Sequence, residues 1–177
     1  LCALALTMGA NTGFAQSGET GLKDAYKDYF SIGVAVNMRN ISNPEQIAII
    51  KKDFNSITAE NDMKPQPTEP AYGQFNWENA DKIANFCRSN GIKLRGHCLM
   101  WHAQIGEWMY KDEKGDFVSK EKLFQNMKHH ITAIVERYKD VIYAWDVVNE
   151  AISDGGWQGG RRGMGEQPSP YRNSPLY

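Results

Sequence analysis

The sequence predicts an α/β chain built around a parallel sheet, and three observations carry that expectation. Four short, β-rich apolar runs alternate with helical patterns, the runs alternate only weakly in polarity, and polar residues gather where each run stops. Strand, helix, strand, helix in this order argues right-handed crossovers and two possible closures: an open doubly wound sheet, or a (β/α)8 barrel of about 250 residues.

The elements follow in order. A helix-like lead-in covers Gly21 to Tyr29, and the first strand, "FSIGVAV", ends near Val36. No glycine-rich phosphate cradle follows it; "VAVNMRN" stands there instead, which removes a nucleotide-binding reading. Asn43 caps a helix with Pro44 at its first position and Glu45 in its first turn, and "FNSITAEN" then runs to Asn61. Ala80, Ile83, Ala84 and Cys87 repeat at helical spacing before a Gly91 stop, after which "IKLRGHCLMW" runs to Trp101. The longest helix lies between Ser119 and Asp140, with Leu123, Met127, Ile131, Ile134, Val135 and Tyr138 on one stripe, and "VIYAWDVVNE" closes on Glu150.

A chain of 177 residues with 41 % apolar residues can bury a core and is about one domain long. Its 20 basic and 21 acidic residues include no Lys/Arg block, so nucleic acid is not expected as a partner. The opening "LCALALTMGANTGFAQS" reads as the apolar region and cleavage site of a secretory signal, with Gly13 and Ala15 before a cut at Gln16. Residues 1–15 are therefore expected to be a signal remnant, residues 16–177 the folded part, and the location extracellular or periplasmic. Cys87 and Cys98 fall on apolar positions and are expected as packed free thiols, a disulfide being the alternative in an oxidising compartment.

The strand ends carry the chemistry. Asn37 follows the first strand; Glu60, Asn61, Asp62 and Lys64 the second; His97, Trp101, His102 and Gln104 cluster at the third; Asn149 and Glu150 close the fourth. In a parallel barrel these ends share the face where active sites form. A metal is not expected: His97 and His102 stand five apart, on opposite faces of a strand, and the adjacent His129 and His130 diverge by about 100° on a helix. Aromatics and hydroxyl partners suit a sugar instead, with Trp101, Trp108, Trp157, Tyr110 and Tyr171 near the mouth and Trp145, in mid-strand, assigned to core packing.

Glycoside cleavage needs a protonated acid and a second carboxylate. Glu150 suits the acid, because partial desolvation at an apolar strand end would favour its protonated form. Asp146, about 13 Å back along the same strand, is too far to be the partner, and Glu60, about 9.5 Å away by strand spacing, suits an inverting pair at best.

These residues resemble a known family. "ITAENDMKP", "GHCLMWHAQ" and "WDVVNEA" look like the second, third and fourth strand motifs of glycoside hydrolase family 10, the endo-1,4-beta-xylanases, over about Tyr29 to Tyr177. The resemblance implies a (β/α)8 TIM barrel, here truncated to about the first four βα units, and retaining cleavage of xylan by double displacement. It makes Glu150 the general acid/base and Asn149 the partner of the sugar 2-hydroxyl. His97, Trp101 and Lys64 would line that subsite, and Glu60, Asn61 and Gln104 would bind the next sugar on the non-reducing side. The family nucleophile is a Glu on strand seven, beyond Tyr177, so the chain alone is expected to be inactive. The resemblance further implies xylan as the partner, no cofactor or metal, no membrane after signal cleavage, and a monomer.

Gly106 departs from the family's "WHxQxPxW", where Pro is usual, and is expected to loosen that loop. The Gly-rich segment 153–170 is expected to be a connector, with Trp157 and Arg161 as candidate contacts on the leaving-group side, and "RNSPLY" resembles the start of the fourth helix. Two alternatives stand beside the xylanase reading: a related retaining barrel hydrolase acting on cellulose or mannan, and a non-catalytic xylan-binding protein.

Overall fold

The computed structural model describes residues 20–152, 171–172 and 174–176. Four strands form one sheet in the order β1-β2-β3-β4, every neighbouring pair parallel: β1 (Gly33–Val36), β2 (Ser56–Ala59), β3 (Lys93–Trp101) and β4 (Ile142–Asn149). Helices α2 (Pro44–Asp53), α4 (Glu78–Asn90) and α5 (Lys120–Tyr138) make the connections, with short α1 (Leu22–Ala25) and α3 (Pro65–Thr68) turns before β1 and after β2.

Local chemistry sets these bounds. The Asn43 side chain accepts from the amides of Glu45 and Gln46, and Pro44 follows where its missing N–H costs nothing. Helix α4 stops at Gly91, whose φ of 63° is the left-handed cap that glycine adopts without steric cost. Ser119 caps α5 through the Lys122 amide. The lead-in is shorter than expected, a single turn of helix followed by turns over 26–29.

The main core lies between the sheet and its helices. Ile57 and Leu94 of the strands meet Ala80, Ile83, Ala84 and Cys87 of α4 and Ile134 and Tyr138 of α5. The Asp81 carboxylate ties the two helices by accepting from the Arg137 guanidinium and the Tyr138 hydroxyl. The α5 stripe is apolar at its C-terminal half but also buries Asn126 and His130. Both cysteines are buried free thiols, and desolvation pushes each up to about 12.

The other face of the sheet differs from the expectation of strands covered twice. Lys93, Arg95, Tyr143 and Asp146 lie on it, and Tyr143, Val147 and Val148 of β4 remain exposed, because β4 is the edge of a four-stranded sheet. Gly96 belongs to the helix-facing side, where the Trp145 indole lies so close that a Cβ at position 96 would sit 2.1 Å from its Cε3. Trp145 thus packs against the core, as its mid-strand position predicts.

Candidate active site

The C-terminal ends of the four strands gather most of the predicted side chains. Beyond β1, Asn37 is locked by its own turn, its amide donating to Asn40 and its side-chain oxygen accepting from the Arg39 and Asn40 amides. Its Nδ2 then donates to Glu60 Oε2 at 2.8 Å, orienting the exposed carboxylate that follows β2. Glu60 is also held through its backbone, whose N–H donates to the Val36 carbonyl.

A second chain of contacts runs from β2 to β4. Lys64 Nζ donates to Asn61 Oδ1 at 2.8 Å and lies 4.5 Å from the centre of the Trp101 ring, so a buried ammonium is held by an amide and an aromatic face. Trp101 Nε1 donates to Glu150 Oε2 at 3.0 Å, and His102 Nε2 stands 3.9 Å from the same oxygen. Asn149 pairs in register with Trp101, so the β3 and β4 ends arrive side by side. Glu150 itself has φ 53°, a left-handed conformation uncommon for a residue with a Cβ. Its side chain is 44 % exposed, and its carbonyl accepts from Arg172 Nε.

His97 occupies a third arrangement. It sits opposite Asp146 in the β3–β4 register, and its Nδ1 is 3.0 Å from Asp146 Oδ2, while Asp146 Oδ1 accepts from Nε and Nη2 of Arg95. Partial burial alone would raise the Asp146 carboxyl, but the bonds from Arg95 and His97 outweigh it and hold the group below the usual carboxylate range. The side chains of Gln104 and Asn149 are not brought into these contacts: Gln104 is exposed with φ 46°, its carbonyl accepting from the Gln66 amide in α3, and Asn149 is placed by its backbone register alone.

Residues 21–174 match the sequence pattern of glycosyl hydrolase family 10. The chain belongs to that family. It is 57 % identical over 163 residues to a Xylanibacter ruminicola protein named endo-1,4-beta-xylanase/feruloyl esterase, covering 88 % of this chain and 22 % of that protein. A Caldicellulosiruptor protein named endo-1,4-beta-xylanase A is 43 % identical over 162 residues, again 88 % and 22 %. Among solved structures, a psychrophilic family 10 endo-beta-1,4-xylanase superposes with a TM-score of 0.81 at 66 % identity over 89 % of this chain and 46 % of its own. A xylanase from Paenibacillus barcinonensis, complexed with a conduramine derivative, gives 0.78 at 38 % identity over 90 % and 44 %. The chain thus spans just under half of these solved structures and about a fifth of those two sequences. Its four parallel strands are those of a family 10 (β/α)8 barrel.

Several sequence-based expectations for the family 10 mouth are corrected. Trp108 and Tyr110 pack against a second apolar cluster around Met100, Ile105, Met109 and Leu176, beneath the loop that follows β3. Gly106 makes room for this packing. A Cβ there would lie 2.5 Å from Trp108 Cδ1, so glycine lets the indole lie on the backbone and donate to the Glu69 carbonyl. Tyr171 bridges Ile152 through an isolated antiparallel pair, and residues 175–176 lie in a turn. The signal remnant 1–15, the connector 153–170, Trp157 and Arg161 lie outside the described residues.

Sequence reasoning missed four residues of this arrangement. Asn37 stands at its strand end with no role assigned by sequence, His102 enters there only as an unsuited metal ligand, Asp146 only as a candidate second carboxylate, and Arg95 not at all. His97 and Asp146 each stand four residues before the end of their run, but the shifted register that pairs them is written in neither run. A buried polar knot was missed as well: Glu69 binds His129 Nε2 at 3.0 Å through Oε1 and His130 Nδ1 at 2.9 Å through Oε2, and Oε1 also accepts from the Gly73 amide. Two grooves of about 470 and 530 Å³ flank the second cluster, lined by Tyr110 and Phe117 in one and Tyr72 and Lys122 in the other. Neither is lined by Glu150.

Proposed function

We propose that this chain is the part of an endo-1,4-beta-xylanase barrel that carries the general acid/base and the sugar-binding wall of the groove. The observation that carries the proposal is family 10 membership together with Glu150 at the open end of β4, its Oε2 held by the Trp101 indole beside Lys64. Glu150 gives its proton to the glycosidic oxygen as the bond to the anomeric carbon breaks. A second carboxylate bonds to that carbon, and Glu150 then takes the proton of the water that releases the sugar, with net retention. Asn149 binds the 2-hydroxyl, His97, Trp101 and Lys64 line the same subsite, and Glu60, Asn61 and Gln104 hold the next xylose.

The test compares the full-length protein on xylan, carboxymethylcellulose and mannan. Xylan is expected to be cleaved fastest with retained configuration, and Glu150→Gln is expected to abolish cleavage of substrates with poor leaving groups. Preference for cellulose or mannan, or binding of xylan without turnover, would replace the proposal. The apolar-then-small composition of residues 1–15 supports export; the mature secreted form is expected to begin at Gln16, which N-terminal sequencing of secreted material would check.

A further inference from the structure

We propose that Arg95 and Asp146 act together as a positioning pair that fixes the ring orientation and tautomer of His97, presenting its Nε2 to the substrate as a hydrogen-bond acceptor. This rests on the xylanase reading for its substrate but not for its geometry. The two carboxylate oxygens of Asp146 are divided between the two neighbours: Oδ1 takes Nε and Nη2 of Arg95, and Oδ2 takes His97 Nδ1 at 3.0 Å. Arg95 and His97 are two residues apart on β3, so both side chains leave the same face and flank the carboxylate that β4 delivers in register opposite His97.

The chemistry follows from what each group can offer. An ionised carboxylate only accepts, so in the neutral imidazole the proton must sit on Nδ1, which leaves Nε2 with a lone pair and no hydrogen. Among the described residues Nε2 has no protein partner. A sugar hydroxyl seated beside it would donate to that nitrogen. Arg95 keeps Asp146 ionised at a partly buried position, and a carboxylate without that guanidinium would be free to rotate away or to protonate and donate instead, reversing the tautomer. The shared carboxylate makes the arrangement a chain: Arg95 acts on substrate only through Asp146, and Asp146 only through His97.

Two-bond 1H–15N correlation spectra of the 15N-labelled protein test this directly, because the unprotonated ring nitrogen resonates far downfield of the protonated one. The His97 signal is identified by its loss in His97→Gln. The expected result for the unaltered protein is a neutral ring protonated on Nδ1. Asp146→Asn, whose amide can donate to Nδ1, is expected to move the proton to Nε2, and Arg95→Met to give a mixture that Arg95→Lys largely reverses. A His97 ring protonated on Nε2 in the unaltered protein overturns the proposal without reference to any variant, as does an unchanged tautomer in Asp146→Asn. In the full-length protein, Asp146→Asn is expected to lower kcat/KM on xylo-oligosaccharides by about tenfold, the loss of one hydrogen bond, with Arg95→Lys much closer to normal. Should the protein prove inactive on xylan, the substrate assignment fails while the spectra still decide the pair.

Discussion

Gly96→Ala is the sharpest test of how the sheet supports the site. A Cβ at position 96 would lie 2.1, 2.4 and 2.5 Å from Cε3, Cζ3 and Cδ2 of Trp145, against an ordinary carbon contact of about 3.5–4.0 Å. The indole must therefore retreat by roughly 1.5 Å, and it retreats into the core cluster formed by the sheet with α4 and α5. Overpacking of this kind costs about 1–3 kcal/mol, and the depth of the overlap places Gly96→Ala at the upper end. With a urea slope of about 1–3 kcal/mol/M, the unfolding midpoint should fall by about 1 M or more. Trp145→Leu removes the obstructing ring at the cost of a cavity, so the double variant should lose less than the sum of the two single changes, by about 1–3 kcal/mol in a double-mutant cycle. An unchanged midpoint in Gly96→Ala, or strict additivity of the pair, would refute the packing argument. The effect would reach the site, because Gly96 and Trp145 each adjoin a member of the His97–Asp146 pair.

Three further outcomes are expected. Glu69→Ala strands the imidazoles of His129 and the fully buried His130, together with the Gly73 amide, and should cost about 3–5 kcal/mol by chemical unfolding, whereas a loss below about 1 kcal/mol would mean the knot is dispensable. Trp101→Phe keeps an aromatic face beneath Lys64 but removes the N–H on the Glu150 carboxylate, worth about 1.5–3 kcal/mol, so kcat/KM on xylan should fall about 10- to 100-fold; equal activity would detach Trp101 from the acid. Burial pushes the Cys87 and Cys98 thiols up to about 12, so in the folded state they keep protons that the unfolded chain gives up near pH 8.5. The unfolded state then binds fewer protons, stability falls as pH rises from about 8.5 towards 12, and maleimide at pH 8 should label neither thiol until denaturant is added.

The local parts of the fold were legible in the sequence because local chemistry specifies them. Asn43 with Pro44, Ser119, and Gly91 each mark a helix end within their own few residues, and the four apolar runs announce four strands. The strand-end habit placed Lys64, Trp101, Asn149 and Glu150 together for the same reason. What failed to show was non-local. The pairing of His97 with Asp146 depends on a β3–β4 register that shifts between Leu94 and Arg95 and again between His97 and Met100, which no single-strand pattern reports. The divergence of His129 and His130 on α5 argued against one shared cation, yet the two oxygens of Glu69 reach one ring each, a solution that needs the loop after β2 folded back onto the helix. Trp108 left the mouth because a glycine two residues earlier offered its indole a bed.

The left-handed backbone at Glu150 separates what folding wants from what turnover wants. Randomising that codon and sorting survivors only for resistance to protease should enrich Gly, Asn and Asp, the residues most at ease there, and deplete Val and Ile. Sorting the same pool for sugar release should return the longer acid alone, at a handicap of about 1 kcal/mol to the chain that bears it. Lineages that abandon the reaction would then be free to drift towards a sturdier, silent form.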